Sequence, residues 1–190
     1  MEKPYIEDRT FEAVDLATAP LQKGEYENCE FINCDLSNKD LSHYLFSECT
    51  FRDCNLSLAK LTKTSLRDVK FMGCKLLGIH FEACDTMLLS FSFQNCILNH
   101  SSFFGLKLKK TSFRNTSLQE ADFTDADLSA SVFDNCDLLN THFENTNLEG
   151  ADLRTANQYS IDPQANRIKK AKFSITGIAG LLDRYGIVIE

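Results

Sequence analysis

The chain has 190 residues, 43% of them apolar and 25% charged, the balance of one folded unit with a sizeable core rather than of a disordered chain. Its net charge of −7 argues against an ordinary nucleic-acid binder, whose affinity comes from Lys and Arg releasing counterions from phosphates. No apolar run nears the roughly 18 residues of a membrane span, and the opening Met1 to Arg9 lacks the apolar core of a secretory signal, so a cytoplasmic protein without membrane contact is expected.

In chain order, the dominant signal is a period of five. Phe11, Leu16 and Leu21 begin it weakly, and from Tyr26 an apolar residue recurs at every fifth position: Phe31, Leu36, Leu41, Phe46, Phe51, Leu56, Leu61, Leu66, Phe71, Leu76 and Phe81. Neither the helical period of 3.6 nor the strand alternation of two fits this spacing. The segment Glu82 to Ser92 interrupts it, and the series resumes two residues out of phase at Phe93. It then runs through Leu98, Phe103, Leu108, Phe113, Leu118, Phe123, Leu128, Phe133, Leu138, Phe143 and Leu148 to Leu153. The two extra residues predict a bulge or longer corner, because a slip without one would turn the apolar column outward.

Two residues before each Phe or Leu centre the chain prefers compact groups, with Asp, Asn, Ser and charged residues elsewhere. Segments such as Cys34 to Asn38 (CDLSN) and Ala121 to Ala130 (ADFTDADLSA) resemble the pentapeptide-repeat family, with its motif A(D/N)LXX. The resemblance implies an all-β solenoid, a right-handed quadrilateral β-helix over residues 11–157 in which four units make one square coil. Residues twenty apart then stack, giving Phe31, Phe51 and Phe71 as one column and Leu36, Leu56 and Leu76 as its neighbour. About seven coils of ~4.8 Å make a tower of roughly 35 Å.

All eight cysteines, Cys29, Cys34, Cys49, Cys54, Cys74, Cys84, Cys96 and Cys136, fall at the compact inward position. Their spacing contains no C-x2-C, and the four histidines are scattered outward, so neither zinc nor disulfides are expected. Parallel Cβ vectors in a stacked ladder hold sulfurs beyond the reach of a relaxed bridge. Phosphate-loop, dinucleotide, nucleophile-elbow and zincin motifs are absent, which leaves no cofactor and no catalytic residue to name.

After Leu153 the segment 158–173 reads as a linker, and 174–190 as a short helix and strand. Ser174 is the expected N-cap, Ile175, Ile178, Leu182 and Tyr185 form one apolar stripe, Gly186 is the left-handed stop, and Ile187 to Ile189 is the strand. This ending is similar to that of the quinolone-resistance and microcin-immunity branch of the family. The resemblance implies a tail-to-tail homodimer through that stripe, and a rod that imitates DNA and binds DNA gyrase or topoisomerase IV. The long projecting loops of plasmid-borne quinolone-resistance members are missing here. From Asn115 to Leu153 there are nine acids and no Lys or Arg, and the phosphate surrogates expected among them are Asp122, Asp125, Asp127, Asp134, Asp137, Glu144, Glu149 and Asp152. Ala59 to Arg114 is by contrast net +6, with nine basic and three acidic residues. A non-enzymatic interaction scaffold or immunity factor that never meets a topoisomerase is the competing reading, with the acids serving solubility.

Overall fold

The computed structural model describes residues 4–14 and 21–188; Leu16, Ile189 and Glu190 lie outside them. The chain winds into a four-sided parallel β-solenoid. On one wall Phe11 pairs with Phe31, Phe31 with Phe51 and Phe51 with Phe71, each a step of twenty residues. The step lengthens to 22 between Phe71 and Phe93, then returns to twenty through Phe113 and Phe133. That wall is a seven-stranded sheet, so six turns separate its first strand from its last. Further bridges carry the stack from Val132 through Asp152 to Lys172. Among the described residues no helix is long and apolar enough to cross a membrane.

The motif explains the square coil residue by residue. The corner residue two beyond each centre adopts a left-handed conformation, as at Asn28, Asn33, Asn115, Asn135 and Asn140, and Asn tolerates that region better than most residues. The Asp or Asn just before each centre turns its side chain back along the chain to accept the amide two residues on: Asp35 from Ser37 (3.0 Å), Asn55 from Ser57 (3.1 Å), Asp122 from Thr124 (2.9 Å), Asp152 from Arg154 (3.2 Å). This is an Asx turn, and it sets the bend at each corner. The compact inward residue often donates to the centre carbonyl of the coil below, as Thr64 does to Leu41 (2.7 Å), Ser101 to Leu76 (2.7 Å) and Cys54 to Phe31 (3.3 Å). A buried carbonyl outside the regular ladder thereby gains a partner.

Inside, like stacks on like. Rings of Phe11, Phe31, Phe51, Phe71, Phe93, Phe113 and Phe133 form one column with centroids 4.6 to 5.4 Å apart and planes within 18°. Phe81, Phe103, Phe123 and Phe143 form a second, meeting the first edge to face, as at Phe113 and Phe123 (82°). A column of leucines, Leu36 to Leu138, stands on another wall and is fully buried.

The irregular segment is a bulge with a cause in the core. Phe91 occupies an inward position where other coils place Cys29, Cys49, Val69, Thr111 or Ser131. Its ring reaches Phe81 (5.2 Å), Phe93 (5.1 Å) and Phe103 (6.3 Å), and so bridges the two aromatic columns. The centre of the adjoining wall at that level is displaced: Thr86, Met87 and Leu88 are exposed, and only Leu89 touches the core. The extra residues give a large ring room in a small residue's place.

The end of the chain departs from expectation. Within 158–173 the five-residue phase persists at Ile168 and Phe173, and Arg167 and Lys172 bridge Asn147 and Asp152; only Gln158 and Pro163 break the pattern, while Tyr159 and Ile161 fill the core instead. In place of one helix there are two 3-10 turns, Ile178–Leu181 and Asp183–Tyr185. Ser174 Oγ accepts the Gly177 amide at 3.0 Å, and Gly186 is left-handed, both as expected. The turns lie flat because Gly177 and Gly180 press against Tyr159, where a Cβ would collide with its hydroxyl and its carbonyl oxygen respectively. Leu181 packs on the core, and Ile187 and Val188 form no strand.

All eight cysteines are free and buried. Burial pushes the thiols of Cys49, Cys84 and Cys136 up to about 12, which suppresses the reactive thiolate. Because every thiol is shielded by burial, the native protein should resist a thiol reagent at neutral pH, and all eight thiols should titrate once it is denatured without reductant; fewer would reveal a bridge.

Phe113→Ala should cost about 3–5 kcal/mol through the cavity left between stacked rings. Asn115→Ala, although outward, loses a left-handed asparagine whose side chain bonds Asn95 (3.0 Å) and Asn135 (2.9 Å), and should cost about 1–2 kcal/mol. Urea denaturation of the two variants checks the register, and equal losses would refute it.

Candidate functional site

The described surface offers shallow clefts rather than a deep pocket, so the candidate site is a surface of charge. Four of the eight expected acids, Asp122, Asp127, Asp137 and Asp152, are the motif's corner residues, each accepting an amide two residues on. Their first role is to shape the coil.

Several are also neutralised by cations that lie outside the acidic segment of the sequence. Lys109 reaches Asp127 (3.4 Å), Arg114 reaches Asp134 (3.2 Å) and Arg167 reaches Glu149 (3.1 Å), each across one coil. Asp152 faces Arg154 (2.7 Å) and Lys172 (3.9 Å). The Arg154 guanidinium holds its carboxyl below the usual carboxylate range, against the opposing effect of partial burial. Such exposed pairs add little stability, but they remove net field from two of the four walls.

What remains is concentrated on the wall built by Phe81, Phe103, Phe123 and Phe143. There, among the described residues, Asp122, Asp125 and Glu144 have no cationic partner, and Asp125 and Glu144 are exposed. Asp122 lies in register with His142 above and Ser102 below. Asp137, on the leucine wall, also lacks a cation but is engaged by the amides of Gln119 (2.7 Å) and Gln158 (3.1 Å). The sequence placed the eight acids on all four walls, and the structure brings three unneutralised ones together on one. The pairing was legible only as a spacing of 18 or 20 between acid and base, a signal that a segment-by-segment charge count does not see.

At the chain's end, Ile175 is 91% exposed and Val188 84% exposed, with Ile178, Tyr185 and Ile187 also more than half exposed. Leu182 is half-buried. These residues form an apolar surface at the C-terminal end of the tower, beside a last coil that carries Arg167, Lys169, Lys170 and Lys172.

The geometry defines a stacked-repeat parallel β-solenoid. The family model of the pentapeptide repeat region matches residues 25–92 and 80–153, and the chain belongs to the pentapeptide-repeat family. No sequence among curated proteins matches it. Among solved structures it is similar to two trypsin-treated forms of QnrB1, described as a plasmid-mediated fluoroquinolone resistance protein. One is 21% identical with a TM-score of 0.64 over 98% of each chain, the other 19% identical with a TM-score of 0.61 over 100% of each. Full-length QnrB1 is 20% identical with a TM-score of 0.51, over 97% of this chain and 100% of that one. At such identities the likeness is one of fold.

Proposed function

We propose that the protein is a non-enzymatic DNA mimic of the quinolone-resistance type, which binds DNA gyrase or topoisomerase IV in place of duplex DNA and so modulates the action of a drug or peptide toxin. The observation that carries the reading is the unneutralised wall of Asp122, Asp125 and Glu144 on a straight rod, next to an apolar end. The description of QnrB1 as a fluoroquinolone resistance protein points the same way. One wall climbs eight steps from Thr10 to Lys172, about 40 Å at ~4.8 Å per step. Two towers joined at their apolar ends, about 80 Å together, would match the length of roughly 24 base pairs at ~3.4 Å each and would place both acidic walls near the centre. The basic band further out lowers the field, so binding should be weaker than that of DNA and steeply salt-dependent.

The joining surface is proposed to be residues 174–190. Burying each exposed apolar side chain there contributes roughly 1.5–3 kcal/mol, enough to offset the entropy of association. Because Ile175 and Ile178 are already exposed in the single chain, the double variant Ile175→Asp, Ile178→Asp should fold and sediment as a monomer at micromolar concentration. A parent that is itself monomeric there would refute the dimer.

Supercoiling by purified gyrase, titrated with the protein at low and high salt, tests the reading directly. Asp122→Asn, Asp125→Asn and Glu144→Gln together should weaken the effect while the fold persists, since Asn55 and Asn147 already cap corners as Asp does. Neutralising the paired Asp134 and Glu149 should change little. A parent without effect on the enzyme at low salt would favour the scaffold or immunity-factor reading instead.

A further inference from the structure

The bulge breaks the backbone ladder on its wall. Below it, Ser65 bridges Asp85; above it, Lys107 bridges Asp127; no bridge joins Asp85 to Lys107. On the other walls the amide equivalent to that of Lys107 donates to the coil below, as Ile97 does to Cys74 (3.0 Å) and Ser102 to Ile79 (2.8 Å). Among the described residues the Lys107 amide has no such partner, and neither do the Lys107 and Lys109 carbonyls. Chain 86–90 has swung outward, and an open cleft of about 280 Å³ lies between it and the next coil.

Four lysines line this cleft, Lys70 from one coil and Lys107, Lys109 and Lys110 from the next. Only Lys109 meets a carboxylate, Asp127 at 3.4 Å. Asp68 also lines the cleft, but its carboxylate is engaged by the Ser90 hydroxyl at 2.7 Å. Apolar floor is supplied by Val69, Leu89 and Leu108, and the exposed Met87 and Leu88 project beside it. Lys70, Lys107 and Lys110 line one cleft, and among the described residues none of the three meets a carboxylate within 4 Å. Converging ammoniums with a free backbone amide are what an oxyanion requires, since each hydrogen bond to it is charge-assisted.

We propose that this cleft binds a phosphate-type oxyanion. The anion's oxygens take the Lys107 amide and the ammoniums of Lys70, Lys107 and Lys110, while a hydroxyl on the ligand or a bound water serves the open Lys107 and Lys109 carbonyls. The site is independent of the acidic wall and of any topoisomerase. The phosphate could belong to a small solute or to a lipid headgroup, in which case Met87 and Leu88 would enter the apolar boundary beneath it.

Amide NMR of the intact protein at low ionic strength separates these sources. Titration with inorganic phosphate or pyrophosphate, against chloride at equal ionic strength, should give saturable shifts at the amides of residues 107–110 and 90–92. In a second arm, co-flotation with phosphatidylglycerol vesicles but not phosphatidylcholine vesicles would assign the phosphate to a headgroup. Lys70→Gln, Lys107→Gln and Lys110→Gln together should weaken whichever binding is seen by about tenfold or more. Lys60→Gln with Lys63→Gln, basic residues outside the cleft, should leave it unchanged. Silence of the parent in both arms, shifts equalled by chloride, or equal loss in the two variants would overturn the proposal.

Discussion

The parallel backbone ladder with its twenty-residue step is the constraint on which everything else rests. Each amide that donates to the neighbouring coil fixes the same residue of every fourth unit directly above its counterpart. Side chains therefore stack in columns: rings on rings from Phe11 to Phe133 and from Phe81 to Phe143, leucines on leucines from Leu36 to Leu138, and the corner asparagines Asn95, Asn115 and Asn135 on one another. The five-residue unit supplies what each level needs, a centre to fill the core, a compact donor for the carbonyl beneath it, and an Asp or Asn to close the turn. Stability then accumulates by nearest-neighbour contacts, as in other stacked repeats.

The same register decides the electrostatics. An acid on one coil faces whatever stands 18 or 20 residues away, so Arg114 answers Asp134 and Arg167 answers Glu149 across the stack. Neutralisation follows the walls rather than the order of the chain. Two groups of charges that meet no opposite charge among the described residues are the most informative parts of the surface: the acidic wall of Asp122, Asp125 and Glu144, and the cleft lined by Lys70, Lys107 and Lys110. The second exists because the ladder fails there and leaves chain 86–90 out of register.

That failure is a packing event. Phe91 stands where the coil ordinarily accepts Cys, Val, Ser or Thr, and a ring of that size is tolerated only if the neighbouring centre withdraws. Phe91 joins the two aromatic columns from within, and the withdrawn residues open the cleft. A single large residue at a small position thus couples core and surface, in keeping with the density of protein interiors.

Fold, register and inward residues were legible in the sequence because a solenoid makes long-range contacts periodic: a fixed spacing in the chain is a fixed neighbour in space. The eight buried thiols, the bulge and the left-handed Gly186 followed from the same reasoning. The period also continued to Ile168 and Phe173, but Gln158 and Pro163 concealed it. What only the tertiary structure decided are the pairings and departures at particular levels. Which acids meet a cation depends on side chains reaching across coils, and the end of the chain became 3-10 turns rather than a helix because Gly177 and Gly180 must lie against Tyr159. The cleft arises from one ring displacing a wall. These depend on volume and contact between residues whose spacing carries no period, and so a periodic reading of the chain passes over them.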